Sequence, residues 1–156
     1  MPDLEIQILD HERLADAYPL VRSGSRVSLQ RWMEFGRQLN TANGGVLAVV
    51  GADNCVHGVA SFRPRPNLRH RQSLDVELFV AFELPGTKGV RAMLYEGLER
   101  LAAERQCESL TLTTAAKGYE IPLSGSQTAL ENLGLKLETL NYTRELEPAG
   151  QGQARK

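Results

Sequence analysis

Cysteine is scarce: Cys55 and Cys107 are the only two in 156 residues, far apart, with no CxxC and no histidine at metal-ligand spacing. That argues against a disulfide framework and a zinc site, and makes a reducing cytoplasm the expected setting. Long apolar runs are missing too. The longest is a handful of residues, against the roughly 20 that a membrane span requires. Residues 1–20 hold Asp3, Glu5, Asp10, His11, Glu12 and Asp16, which is too polar for a signal peptide. Neither sign of charge dominates, since eighteen Lys and Arg oppose nineteen Asp and Glu for a formal net charge of −1. No global field draws the chain to nucleic acid or to an anionic membrane. Apolar residues, at 42%, still suffice for a real core, and the length suits one domain rather than two.

Periodicity supplies the element order. Leu4–Leu9 alternates as a short strand, and Leu14, Ala17, Leu20 and Val21 then recur at helical spacing. Ser23-Gly24-Ser25 breaks the pattern before a second helix over about 29–39, with Trp32, Phe35 and Leu39 on one face. Val46–Val50 is a continuous β-prone run, Gly51–Asn54 a turn, and Val56–Phe62 the returning strand. Arg63-Pro64-Arg65-Pro66-Asn67 reads as a loop, because each proline removes a ladder donor. A strand over 73–82 completes an antiparallel set, and alternation along it puts Asp75, Glu77 and Phe79 on one face and Val76, Leu78 and Val80 on the other.

Residues 88–105 carry the clearest helix, with Val90, Met93, Leu94, Leu98, Leu101 and Ala102 along one stripe. Ser109–Thr113 is a strand, and the strand–helix–strand order predicts a right-handed crossover between parallel neighbours. A short helix over about 127–133 and a final strand or strand pair over 135–146 follow. The tail from Glu147 to Lys156 reads as disordered. The fold class is α+β: one domain over 1–146, a mixed sheet with helices on its faces.

Chemistry concentrates in the turn before the clearest helix. A strand ends at Phe82, Gly86-Thr87-Lys88-Gly89 follows, and the helix begins at Val90-Arg91. Helix N-termini expose unpaired N–H groups and a partial positive charge, and glycines let oxygen atoms approach them. No acid occurs from Leu84 to Tyr95, whereas Lys88 and Arg91 are basic. Cations at the positive end of a helix are unfavourable unless an anion sits among them. The alternative is a solvated, glycine-containing helix start. The spacing is neither that of a P-loop nor GxGxxG, which argues against nucleotide hydrolysis.

With this element order the chain resembles the GNAT superfamily of acyl-CoA-dependent N-acyltransferases. The family's [QR]-x-x-G-x-[GA] turn, which wraps the CoA pyrophosphate, falls on Gly86-Thr87-Lys88-Gly89-Val90-Arg91. Gly89 matches, while Gly86 replaces Gln or Arg and Arg91 replaces a small residue. Ala129-Leu130-Glu131-Asn132-Leu133-Gly134-Leu135, then Tyr142 and Leu146, resembles the family's A-x-x-[FY]-Y-x-x-x-G-F segment and last strand. The resemblance implies that Gly86, Thr87, Lys88, Gly89, Val90 and Arg91 hold the pyrophosphate of acetyl-CoA. It assigns the pantetheine arm to backbone groups of Leu78, Phe79 and Val80, where the preceding strand splays from its neighbour. The acyl carbonyl would lie where a main-chain N–H can polarise it.

An amine is protonated at neutral pH and must lose a proton before attack. The resemblance points to Glu77 as the base. The alternative is that Asp75 and Glu77 decorate a solvated face or pair with Arg69 or Arg71. Leu130 stands where the family's general-acid Tyr falls, with Tyr119 and Tyr142 as substitutes only if the fold brings one close. The expected activity is acyl transfer from acyl-CoA to a small-molecule or protein amine, with no metal; the alternative is a catalytically degenerate GNAT-like binding or regulatory module.

Arg63, Arg65, Arg69, His70 and Arg71 form one dense basic run without interleaved aromatics, which argues against nucleic acid and suits a solvated hairpin or an acidic acceptor. His57 reads as structural, Trp32 as core, and Ser23–Arg31 as a possible border of the acceptor site. A homodimer stays open.

Overall fold

The computed structural model describes residues 3–83, 89–114, 125–139 and 141–146. The chain runs β1 (Leu4–Ile8), a 3-10 turn (His11–Arg13), α1 (Leu14–Gly24), α2 (Leu29–Thr41), β2 (Gly45–Gly51) and β3 (Val56–Asn67). It continues through β4 (Arg71–Val76), β5 (Phe79–Ala81), α3 (Val90–Glu104), β6 (Ser109–Leu112) and α4 (Gly125–Asn132). The sheet order is β1-β2-β3-β4-β6, with β5 paired to β3 beyond the end of β4. Among the described strands only β4 and β6 are parallel, with α3 as their crossover.

The sheet has a core on each face. Leu47, Val49, Ala60, Phe62, Leu74 and Val76 pack under Val90, Leu94 and Leu98 of α3. Val46, Ala48, Val50 and Val59 pack against Leu14, Ala17, Val21, Trp32 and Leu39 of the first two helices. β2 is apolar on both sides because it lies beneath both layers, which explains its unbroken run. The indole N–H of Trp32 donates to the carbonyl of Leu14 at 2.8 Å and ties α1 to α2 inside the core. Gly97 brings α3 close to the sheet: a Cβ there would stand 2.8 Å from Leu47 Cδ2.

Three sequence expectations need correction. The Arg63–Asn67 loop is instead the end of β3, paired with β4 from Arg63↔Asp75 to Asn67↔Arg71. Odd-numbered residues of β3 turn their backbone groups to β4 and β5, as the bond from Ser61 N–H to Leu78 C=O shows. Pro64 and Pro66 therefore face the β2 side, and β2 pairing has already ended at Gly45↔Phe62. Their missing donors remove no ladder bond.

The strand expected over 73–82 is two strands separated by a bulge. Register against β3 runs Arg63↔Asp75 on β4 but Ala60↔Phe79 on β5, a shift of one residue. Such a shift reverses every following side chain. Val76, Phe79 and Ala81 accordingly share the α3 face, while Leu78 and Val80 point to α1 and α2, so simple alternation through Glu77 fails.

Residues 135–139 and 141–146 form no strand. Leu137 (63% exposed), Tyr142 (92%) and Leu146 (76%) lie in water. Alternation alone does not make a strand without a neighbour to bond and a face to bury. The tail 147–156 lies outside the described residues, as do Leu84–Lys88 and Ala115–Ser124.

Candidate functional site

The bulge between β4 and β5 shapes the site, and Ser61 holds it. Ser61 N–H donates to Leu78 C=O at 2.9 Å, and Leu78 N–H donates to Ser61 Oγ at 2.9 Å. The side chain thus accepts a bond that the shifted register would misplace. Ser61 is 1% exposed in an otherwise apolar stretch. Ser61→Ala would leave the half-buried Leu78 N–H without this partner; the expected loss is about 1 kcal/mol, read as a lower Tm.

The consequence is an open strand edge. On β5 the even residues face β3, as the bond from Phe82 N–H to His57 C=O at 2.8 Å shows. Phe79 and Ala81 lie at the intervening positions, so their N–H and C=O groups point away from β3. On β4 that side is taken by β6, up to Thr113 N–H donating to Val76 C=O at 2.8 Å. Beyond Val76 no described strand pairs with it. Of the three residues expected to line a pantetheine arm, Leu78 and Val80 turn their backbone to β3 and Phe79 turns its to the open edge. All three are half-buried.

The start of α3 lies against this strand. Gly58, partner of Ala81, leaves room for it: a Cβ there would stand 2.9 Å from Val90 Cγ1 and 3.6 Å from the carbonyl oxygen of Val80. Gly89 caps the helix at φ +103°, in the left-handed region that suits glycine, and lends no side-chain cap. Val90 is buried and Arg91 half-buried. Gly86, Thr87 and Lys88 lie outside the described residues.

An anion already sits on these amides. Glu83 Oε1 accepts from Gly89 N–H at 3.2 Å and from Arg91 N–H at 3.0 Å. Glu83 lies two residues past the end of β5, so the chain leaving the strand reaches the start of the helix. This supplies a negative group for a helix start that has no acid of its own. Its sequence signal is an acid placed just before the Gly86–Gly89 segment, outside both that segment and the helix.

On the sheet face opposite α3 the β4–β6 region is polar. Ser73 Oγ and Thr111 Oγ1 are 2.9 Å apart, and Ser109 Oγ is buried with no hydrogen-bond partner among the described residues. Asp75 pairs with Arg65 at 3.2 Å, not with Arg69 or Arg71; Arg71 reaches Glu108 at 3.8 Å. Burial pushes the Asp75 carboxyl up, and the Arg65 guanidinium and the Ser73 hydroxyl offset part of that rise. Glu77 is exposed at the bulge. The end of α1 abuts β5, since a Cβ on Gly24 would stand 2.6 Å from Val80 Cγ2. Residues 25–28 thus begin beside the strand, with Ser28 capping α2 through Arg31 N–H at 3.1 Å.

Leu130 is half-buried on α4, which stops at Gly134, φ +90°, where Leu135 N–H reaches back to Leu130 C=O at 3.1 Å. Tyr142 is exposed and Tyr119 lies outside the described residues. The structure therefore brings Phe79, Gly89, Val90 and Arg91 together where β5 meets the start of α3, with Glu77 exposed at the bulge before β5. Tyr142 is not shown to join them.

No family model matches the sequence, and no curated protein matches it significantly. Solved structures do. The aminoglycoside N-acetyltransferase AAC(6')-Iy, in a complex with CoA, superposes with a TM-score of 0.76 at 15% identity, covering 93% of this chain and 96% of that one. A GNAT family acetyltransferase from Staphylococcus aureus subsp. aureus USA300_TCH1516 gives 0.68 at 14% identity, covering 94% and 100%. A transcriptional regulator from Bacillus halodurans C-125 gives 0.71 at 14% identity, covering 92% and 100%. The chain has the GNAT acetyltransferase fold.

Proposed function

We propose that this chain transfers an acyl group, acetyl in the first instance, from acyl-CoA to an amine by direct attack. The observation that carries it is the open edge of β5 beside the start of α3. An unpaired strand edge bonds an extended amide chain much as it would another strand, and the pantetheine arm is such a chain. Phe79 N–H and C=O would bond it, with Leu78 and Val80 fixing the strand that offers them. Gly86 to Arg91 would receive the pyrophosphate through main-chain N–H groups, with Lys88 and Arg91 adding charge.

In the reaction the amine nitrogen forms a bond to the thioester carbonyl carbon. The C–S bond breaks as the nitrogen sheds its second proton to water, and the departing thiolate takes up a proton from that water. Glu77, directly or through one water, accepts the proton that the ammonium group must lose before attack. A main-chain N–H of β5 beside the carbonyl oxygen stabilises the developing negative charge. A thiolate is a competent leaving group, so Leu130 in place of a proton donor does not forbid transfer. This chemistry requires no metal, and among the described residues no group of three metal-binding side chains occurs. The proposed acceptor is a small-molecule or protein amine and the proposed setting the cytoplasm; no described helix is long and apolar enough to cross a membrane.

Leu130 and the occupied α3 amides favour a second reading, a GNAT-like module that binds or regulates without catalysis. Titration with acetyl-CoA separates the two. A ligand present at about 100 times its Kd should stabilise the protein by about 2.7 kcal/mol, seen as a rise in Tm. CoA release in the presence of an amine panel then identifies catalysis. No Tm rise at millimolar acetyl-CoA overturns the transferase reading.

A further inference from the structure

We propose that copies of this chain associate head to tail, the β3–β4 hairpin tip of one copy seating in the groove between β1 and α3 of the next. The inference is independent of acyl transfer. It rests on two surfaces that suit each other and that the proposed reaction does not use.

The first is a groove of about 620 Å³ along the outer side of β1, floored by Leu4, Ile6, Leu47, Met93 and Leu101. Its rim is acidic: Glu5 and Glu104 border it, Glu96 and Glu99 border its continuation along α3, and Arg100 is the one cation there among the described residues. Glu96, Glu99 and Glu104 make no ion pair with a described residue. β1 is the edge strand of the sheet, bonded among the described elements to β2 alone.

The second is the turn joining β3 to β4. Leu68 stands at its tip fully exposed, at 103% of the reference area, where a turn would ordinarily carry a polar residue. The turn presents it on a fixed platform. Asn67 Oδ1 accepts from Arg69 N–H at 2.8 Å and His70 N–H at 3.1 Å, Arg71 takes φ +62°, and His70 Nε2 lies 2.7 Å from Glu138. Arg63, Arg65, Arg69 and Arg71 make this end of the hairpin basic; Arg65 and Arg71 are held by Asp75 and Glu108, and Arg63 and Arg69 make no ion pair with a described residue.

Apolar knob and apolar groove, basic collar and acidic rim are complementary in both respects. Neither surface matches itself, since two acidic rims or two arginine collars repel, so a twofold contact through either is disfavoured. β2 separates β1 from β3, which keeps a hairpin away from its own groove. The contact is therefore heterologous and generates a ring or an open chain. A single hairpin tip buries little area, so association is weak and sensitive to salt.

Sedimentation velocity tests this from about 10 µM to about 1 mM protein. In about 0.05 M salt the weight-average mass should rise with concentration, and in about 0.5 M salt it should fall back toward the monomer. Leu68→Glu removes the knob and Glu96→Lys/Glu99→Lys reverses the rim; all three positions are exposed, so folding is preserved and is checked by circular dichroism. Each variant alone should stay monomeric, because each lacks one half of the contact. Their mixture should form a one-to-one dimer and nothing larger, since one intact knob and one intact groove remain. A wild type that is monomeric throughout, an oligomer that survives Leu68→Glu, or a mixture that forms no dimer each overturns the proposal.

Discussion

Glu77→Gln should lower kcat/KM for amine acetylation about 10²-fold at neutral pH, with acetyl-CoA affinity unchanged. Gln keeps the shape of the side chain at the bulge and loses only the ability to take a proton. The defect should therefore shrink as pH rises, because a growing fraction of the amine arrives unprotonated. A structural loss at the bulge would instead appear at every pH and in the affinity for acetyl-CoA. Asp75→Asn is the natural comparison. Asp75 lies on β4 before the bulge, tied to Arg65 at 3.2 Å, so its loss should disturb the polar sheet face rather than the proton transfer. Turnover by Glu77→Gln equal to that of the wild type across pH removes Glu77 from the mechanism.

Glu83→Gln should tighten acetyl-CoA binding about tenfold, about 1.4 kcal/mol, while making the free protein about 1 kcal/mol less stable. The carboxylate caps α3 in the absence of ligand, bonded to the N–H groups of Gly89 and Arg91. A pyrophosphate needs those same donors and is repelled by the charge that holds them. Opposite signs for stability and affinity distinguish a competing group from a simple cap. Calorimetry on both proteins, with thermal unfolding of each without ligand, reads the two quantities. Weaker binding by the variant would mean that Glu83 orders the turn for its ligand, and unchanged binding that pyrophosphate is received elsewhere.

Much of the frame was legible because it depends on local pattern. The stripe from Val90 to Ala102 is an α-helical period, and the helix it predicts covers the sheet as expected. Gly134 ends α4 where a glycine after a helical run should. The strand–helix–strand order over 71–112 dictated a parallel pair, and β4 and β6 form it. The site was legible only as a neighbourhood: strand, glycine turn, helix.

What escaped depends on partners in space. Pro64 and Pro66 look like strand breakers until β2 is seen to end before them, so their missing donors face no strand. One surplus residue between Val76 and Phe79 leaves no mark in composition, yet it reverses the faces of all that follow. Ser61 reveals its role only once Leu78 is opposite it, and the bond from Gly89 N–H to the Glu83 carboxylate follows from no local pattern.

The amino-acid order by itself determined which segments coil or extend, and which side of each helix is greasy, since these follow from backbone preference and spacing within a few residues. Only the folded arrangement decided where a strand edge lies open and which carboxylate meets which amide. Those outcomes belong to pairing register between segments distant in the chain, and one residue of slip changes them all.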